Sequence, residues 1–464
     1  MKNAVMILIF LCTLGMARAQ DFTGDWSGEL SVQGMKLPLV MHISQNDNVF
    51  VTTLDSPMQG AKGIPTGTTT VNQDSITVTI PAIGAIYRAK MVNGKLSGTF
   101  TQSGMSLPLE LSRGADAMVI NRPQEPKPPF SYSVEEVSFK NPKANNISLA
   151  GTLTLPTGVK NPPVAIMITG SGPQNRDEEL LGHKPFLIIA DHLTKNGIAV
   201  LRYDDRGVAK SGSYIPEGKK DNTSYDFADD ASAALDYLLT RGDVIDPKKI
   251  GYIGHSEGGL IAPMVAAKRK DVAFCILLAG PGVDGKEILL TQSRRSGELS
   301  GASTEFLDIN EKYSKQIYDL VIASPDQLEE KLKAVLNDLK EKYPEAGKAL
   351  DEKTIDAQIK SITSDWMSTF LSIDPADHLT KVKCPVLAIN GEKDFQVLPD
   401  INLKGIEAAL QKAGNKDVTI KTLPDLNHLF QHAETGAFEE YAKIEETFAP
   451  EALELITTWL KKRF

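Results

Sequence analysis

Gly254-His255-Ser256-Glu257-Gly258 constrains what this chain can fold into more than any other stretch. It follows Lys249-Ile-Gly-Tyr-Ile253, a short apolar run with the character of a buried parallel strand. It precedes Gly259-Leu-Ile-Ala-Pro-Met-Val-Ala-Ala267, which reads as a helix packed closely on that strand. A turn this tight leaves no room for side chains at 254 and 258, which explains the two glycines. Ser256 is then held in a strained conformation at the top of the sheet. Its hydroxyl sits at a helix N-terminus, where free N–H groups and the helix dipole favour developing negative charge. Gly-x-Ser-x-Gly occurs once in the chain, and its flanks supply the strand–turn–helix context that a chance glycine-rich turn lacks.

Residues 1–19 read as an export signal. Lys2 gives a positive start, Ala4 to Met16 a hydrophobic stretch, and Ala17-Arg18-Ala19 a cleavage site. Cys12 lies inside the hydrophobic stretch, which disfavours a lipoprotein. Cleavage before Gln20 is expected to release an exported protein, periplasmic or secreted; an uncleaved anchor is the competing reading. No other segment is long and apolar enough to span a bilayer, so no membrane span is expected in the mature form. Losing Lys2 and Arg18 takes the formal charge from −9 to −11. Acidity without a basic cluster argues against nucleic acid or anionic membrane as a partner. Cys275 and Cys384 lie in apolar runs and read as buried free thiols. About 445 mature residues exceed a single core, so two or three domains are expected.

Residues 20–113 are β-rich, with short alternating runs and turn signals such as Asn93-Gly94. Trp26-Ser-Gly-Glu-Leu30 is echoed 70 residues later by Leu96-Ser-Gly-Thr-Phe100, and Gly34-Met-Lys-Leu-Pro-Leu39 by Gly104-Met-Ser-Leu-Pro-Leu109. The first and last hairpins should therefore be equivalent, within a small antiparallel barrel or closed sheet of seven or eight strands. Its only histidine, His42, is expected to pack in a strand, and the domain reads as scaffold. Residues 114–130 carry Arg122-Pro-Gln-Glu-Pro-Lys-Pro-Pro129, a stiff linker composition. An α/β fold follows, in two parts, 131–283 and 381–464. Strands at 163–168, 198–203, 250–254, 273–279, 384–390 and 418–423 alternate with helices at 186–195, 225–239 and 450–461, behind an antiparallel pair at 134–140 and 147–155. Residues 284–380 interrupt this alternation with a charged, helix-patterned insertion, read as a cap over the sheet's C-terminal edge; an accessory surface lobe is the competing reading.

A serine hydroxyl becomes a nucleophile when a histidine takes its proton and an acid orients that histidine. Strand 384–390 runs into Gly391-Glu-Lys-Asp394, and strand 418–423 into Pro424-Asp-Leu-Asn-His428. These turns assign Ser256 as nucleophile, Asp394 as orienting acid and His428 as general base. Glu392 and Asp425 are the competing acids, and His432 the competing base. The oxyanion formed on attack needs two preorganised N–H groups. One is expected from Glu257, directly after the serine, and the other from Ser171 in Thr169-Gly-Ser-Gly-Pro173, where the proline has no N–H. The competing reading of this stretch is a simple tight turn. No cofactor and no metal are expected; His428 and His432 are spaced i,i+4, but no glutamate follows the first as in zinc-binding helices.

Tyr203-Asp-Asp-Arg-Gly207 with Ser211-Gly212 resembles the Asp-x-Arg-Gly-x-Gly-x-Ser stretch of the serine aminopeptidase-like (S33) and dienelactone hydrolase-like groups of the α/β-hydrolase superfamily. It departs by having Val208-Ala209 in place of the second glycine, and Thr169 stands where the more familiar oxyanion motif has histidine. The resemblance covers residues from about 131 to 464. With the β-rich N-domain, Phe370-Leu-Ser-Ile-Asp-Pro-Ala376, Gly391-Glu-Lys-Asp394 and Asn427-His-Leu-Phe430, the chain is similar to exported multidomain bacterial carboxylesterases with a helical lid. It implies a mostly parallel eight-stranded sheet, a triad in the order serine, acid, histidine, and a bracing role for Asp205-Arg206 behind the oxyanion turn.

The resemblance and the triad together lead to a serine esterase acting through an acyl-enzyme on soluble short-chain esters, with a small-molecule ester as partner. The alternative is an aminopeptidase using the same triad, with Glu287, Glu298 or Glu305 available for an α-ammonium. Arg294-Arg295 could meet a substrate carboxylate, or form an ordinary solvated face. A non-catalytic binding protein fits poorly with an intact serine, acid and histidine. Nothing in the sequence sets the oligomeric state, so a homo-oligomer stays open.

Overall fold

The computed structural model describes residues 21–464, apart from 33–34, 48, 58–60, 103–104, 115–120 and 349. The export signal expected at 1–19 lies outside the described residues. The described residues divide into two compact units, one before residue 121 and the other spanning 121–464.

In the first unit, β1 (Gly24–Val32), β2 (Met35–Asn46), β3 (Val49–Ser56), β4 (Ala61–Pro65), β5 (Thr69–Asn72), β6 (Ser75–Ile80), β7 (Ala85–Val92), β8 (Lys95–Gln102) and β9 (Met105–Arg113) form one antiparallel sheet. Their order is β4-β3-β2-β1-β9-β8-β7-β6-β5. The 70-residue echo is preserved in register. Trp26 pairs with Met41 and Gly28 with Leu39, as Leu96 pairs with Leu111 and Gly98 with Leu109. Period-two alternation sends Trp26, Leu39, Leu96 and Leu109 into one core. The sheet does not close as expected: its terminal strands β4 and β5 share no ladder. It curls into a half-barrel in which the Thr69 and Thr52 hydroxyls meet at 2.9 Å. His42 also departs from expectation. It lies between the buried Met41 and Ile43, so alternation turns it outward, where its ring meets Asp25 at 2.6 Å and Asp55 at 3.2 Å.

In the second unit the strands are β10 (Ser133–Asn141), β11 (Ile147–Leu155), β12 (Val164–Ile168), β13 (Ala199–Tyr203), β14 (Ile250–His255), β15 (Cys275–Leu278), β16 (Val386–Gly391) and β17 (Val418–Leu423). They lie in the order β10-β11-β13-β12-β14-β15-β16-β17, with β11 antiparallel to both neighbours and the remaining pairs parallel. This is the α/β-hydrolase sheet. The helices are α1 (Pro185–Lys195), α2 (Ser224–Leu239), α3 (Glu257–Ala266), α4 (Gly285–Leu299), α5 (Thr304–Ala323), α6 (Leu328–Lys342), α7 (Glu352–Ile362), α8 (Asp365–Ser372), α9 (Ala376–Leu379), α10 (Pro399–Lys412), α11 (Phe438–Tyr441) and α12 (Pro450–Lys461).

Strands β12 to β16 are buried throughout, as continuous apolar runs covered on both faces must be. Alternation divides their side chains into two layers. Val164, Ile166 and Leu277 join residues of α2, α3 and α10, while Ala165, Met167 and Ile276 join residues of α1 and α12. Each fully buried aliphatic side chain contributes about 1.5–3 kcal/mol, so the sheet is a rigid base for the loops at its C-terminal edge. Helices α4 to α9 form the insertion between β15 and β16, with a core of their own around Val321, Leu332, Leu336 and Ile359. Asp284, Ser303, Asp351 and Ser364 start α4, α5, α7 and α8 by accepting the amide three residues on. In the stretch expected as linker, Arg122 donates to the carbonyls of Leu181, Ala442 and Ile444, and Gln124 to that of Phe448. Among the described residues no helix is long and apolar enough to cross a membrane.

Candidate active site

Ser256 follows β14 directly and precedes α3, with φ 53° and ψ −120°. A non-glycine residue keeps such a backbone only where its surroundings impose it. The two glycines have steric causes. A Cβ at 254 would lie 2.0 Å from the Gly258 carbonyl oxygen, and one at 258 would lie 2.1 Å from that of Ile168.

Asp394 stands three residues past the end of β16, and His428 in the loop after β17. The Asp394 carboxylate is held at both oxygens. Oδ1 accepts the amides of Gln396 and Val397 at 2.8 and 2.9 Å, and Oδ2 accepts His428 Nδ1–H at 2.8 Å. With Nδ1–H committed, Nε2 is the nitrogen left to receive a proton. Asn427 shapes the histidine loop by accepting the amides of Leu429 and Gln431. Ser256 and His428 line one cavity of about 270 Å³. The competing residues lie elsewhere. Glu392 accepts the Asp425 amide, Asp425 pairs with Lys393 at 2.8 Å, and the half-exposed His432 sits between Glu446 and Glu451, 2.9 Å from each.

The loop after β12 passes directly against the elbow: a Cβ on Gly170 would come within 3.1 Å of Ser256 Cβ. The Gly170 amide is already donated to Glu178 Oε1 at 2.7 Å, and Ser171, the next residue of the loop, lines the cavity where Gly172 does not. Glu257 is the first residue of α3, so its amide has no acceptor within the helix. Ser171 and Glu257 both line the cavity. Asp205 braces the loop by accepting the Thr169 hydroxyl and the Gln174 amide, each at 2.9 Å. Burial pushes its carboxyl up to about 8. Arg206 instead points to Asp230 at 2.6 Å.

Ile288 and Leu289 of α4, Trp366 and Phe370 of α8, with Leu180 and Phe438, give the cavity an apolar wall. Two carboxyl groups line it, Glu178 and Glu257. The Glu257 side chain accepts from Ser224 Oγ at 2.5 Å, from Trp366 Nε1 at 3.0 Å and from the Ser171 hydroxyl. Burial holds its pKa above the ordinary carboxylate range. Glu178 is bound to Gly170 and His255. Neither carboxyl has its full hydrogen-bonding capacity free for a cation. Glu287, Glu298 and Glu305 do not line the cavity. Arg294 pairs with Asp308 and Glu311, and Arg295 with Glu298, all within the insertion. Sequence reasoning missed the roles of Glu178, Trp366 and the Glu257 side chain, since their partners lie 8 to 109 residues away.

A family model described as Serine aminopeptidase, S33 matches residues 185–435, more than half of the chain. Esterase EstD of Thermotoga maritima is 28% identical over 303 residues, 64% of this chain and 61% of that relative, so the chain spans less than two thirds of its length. Among solved structures, the esterase Pf2001 of Pyrococcus furiosus is similar with a TM-score of 0.42 and 17% identity, covering 72% of this chain and 94% of that one. The dienelactone hydrolase from Anabaena variabilis gives a TM-score of 0.39 and 16% identity, covering 72% and 99%. These scores are low, and strand order carries the fold assignment in their place. By sequence match and sheet topology together, the chain belongs to the Serine aminopeptidase, S33 family of the α/β-hydrolase superfamily.

Proposed function

We propose that this protein is a serine carboxylic ester hydrolase acting on short-chain esters, with Ser256, His428 and Asp394 as its triad. One observation carries the choice of ester over peptide: the cavity holding Ser256 and His428 is walled by apolar side chains, and both carboxyl groups in it are already hydrogen-bonded. An α-ammonium would meet only carboxyl groups that already hold other donors, whereas a neutral acyl group meets matching surface. A volume of about 270 Å³ falls just under the roughly 300–1,000 Å³ of drug-sized ligand sites, which suits a small substrate. The insertion supplies Ile288, Leu289, Trp366 and Phe370 and acts as the lid.

In this mechanism His428 Nε2 takes the Ser256 hydroxyl proton as Oγ attacks the ester carbonyl, while Asp394 holds Nδ1–H. The oxyanion is met by the N–H groups of Ser171 and Glu257. As the tetrahedral intermediate collapses, the alcohol leaves with the proton from His428, and the acyl group stays on Oγ. Water, deprotonated by the same nitrogen, then attacks the acyl carbonyl, releases the carboxylic acid and restores Ser256.

The family's description as a serine aminopeptidase keeps a second reading in play, and one experiment separates them. Full-length protein and Ser256→Ala are compared on a p-nitrophenyl acyl ester series and on aminoacyl p-nitroanilides. The proposal expects turnover of short esters that vanishes in the variant, with anilides untouched. Anilide turnover requiring a free α-amine would establish the aminopeptidase instead. The export reading rests on residues 1–19 and is checked separately, by N-terminal sequencing for a mature chain that begins at Gln20.

A further inference from the structure

His255 takes no part in these proton transfers, yet it is buried one residue before the nucleophile. Its Nε2 lies 2.9 Å from the backbone carbonyl oxygen of His428, and its Nδ1 3.0 Å from Glu178 Oε1. A carbonyl oxygen only accepts, so Nε2 carries a hydrogen, while Nδ1 faces the Glu178 carboxyl. The same Glu178 oxygen accepts the Gly170 amide at 2.7 Å. The result is one unbroken chain: Gly170 N–H, Glu178 carboxyl, His255 ring, His428 carbonyl. Its ends are the two loops that must flank a reacting carbonyl, one carrying Ser171 and the other His428. Its middle is the elbow itself.

Two unfavourable features are retained in this chain. Burial opposes charge on the His255 ring, but the Glu178 carboxylate and its hydrogen bond outweigh burial and hold the ring above the ordinary histidine value. Glu178 has φ +52°, a left-handed conformation that a non-glycine side chain rarely adopts. The His255 and His428 rings lie 4.8 Å apart, so a shift of the first is felt directly by the second.

We propose that Glu178 and His255 are positioning residues, a second acid–histidine pair that ties the oxyanion loop and the loop of the general base to the nucleophile elbow. The pair acts through Gly170 and His428 and takes no proton from the substrate. This rests on the serine-hydrolase reading of the site.

The test uses full-length Glu178→Ala, Glu178→Gln and His255→Asn. Each is assayed for p-nitrophenyl acetate kinetics, for the rate at which a fluorophosphonate labels Ser256, and for its melting temperature. Glu178→Ala should lower kcat about 100-fold, the loss expected for an ångström-scale misplacement, with KM little changed and labelling slowed in parallel. Glu178→Gln keeps an acceptor for Gly170 without the charge and should recover part of the loss. Wild-type kcat and labelling rates in folded Glu178→Ala and His255→Asn would overturn the proposal, as would a loss confined to KM. Failure of all three variants to fold would assign the pair to the core of the fold and overturn it equally. The ester reading fails differently: wild-type protein would leave the ester intact, while labelling of Ser256 would still report on the pair. A wild-type Ser256 inert to both reagents would sink both.

Discussion

Each unit of this protein sets a histidine against a carboxylate, and the two settings could hardly differ more. In the N-terminal half-barrel His42 bridges Asp25 and Asp55 on the outward face of a strand, with its side chain 38% exposed. In the hydrolase unit His428 meets Asp394 with 5% and 0% of those side chains exposed. The bond lengths are alike, so a short histidine–carboxylate contact alone says little about chemistry. What separates them is where the backbone puts them. Asp394 and His428 come from loops at the ends of two adjacent parallel strands, and His428 shares a cavity with Ser256. His42 sits mid-strand, where only neighbouring strands can reach it.

The sharpest way to break this contrast is at the hydrolase end. Ser256→Ala should lower kcat on the order of a millionfold and Asp394→Asn about ten-thousandfold, measured on the same p-nitrophenyl ester. An Asp394→Asn enzyme with near-normal kcat would reduce that pair to the status of the other. A smaller effect is expected at Glu257. Trp366→Phe removes the Nε1–H donor from a buried carboxyl and should cost about 1–3 kcal/mol in urea denaturation. An unchanged midpoint would show that the bond across to α8 contributes nothing.

The smallest effect belongs to His42. Its hydrogen bond to Asp25, followed by that to Asp55, raises its pKa. A raised pKa stabilises the folded state fully below the unfolded value of about 6.5. That contribution disappears as pH rises through the folded value. His42→Ala should therefore flatten this part of the pH dependence of unfolding. Exposure and salt screening limit the loss to at most about 1 kcal/mol, and ester turnover should be unaffected. Loss of turnover in His42→Ala would mean the half-barrel is more than scaffold.

The features read most easily from the sequence were those fixed by local sterics. Gly254 and Gly258 announce the elbow because no side chain fits there, and the 70-residue echo announces two hairpins because register fixes which residues face in. The eight-stranded sheet was legible because its central strands are unbroken apolar runs between helical patterns. Closure of the N-terminal sheet was not legible. Whether β4 and β5 pair depends on how far the whole sheet curls, and no residue in either strand encodes that. The outward turn of His42 was readable from Met41 and Ile43, had the alternation been followed one residue further. The Glu178 contact to His255 spans 77 residues and the Trp366 contact to Glu257 spans 109. The first depends on the left-handed loop backbone at Glu178 and the second on how α8 meets α3, and neither has a period or motif.

The helical insertion leaves the sheet after β15 and returns at β16, and those two strands are hydrogen-bonded neighbours, with Cys275 opposite Val386. Its two ends are therefore held together by the sheet; Ile288, Phe370 and Leu379 join the sheet's core, while the rest packs around a core of its own at Leu332 and Ile359. Length added or removed inside such a loop changes closure entropy only slowly. This is the architecture of an exchangeable part. A lineage could rebuild the cavity-facing helices wholesale, reshaping the cavity, while the strands that carry Ser256, Asp394 and His428 keep their pairing.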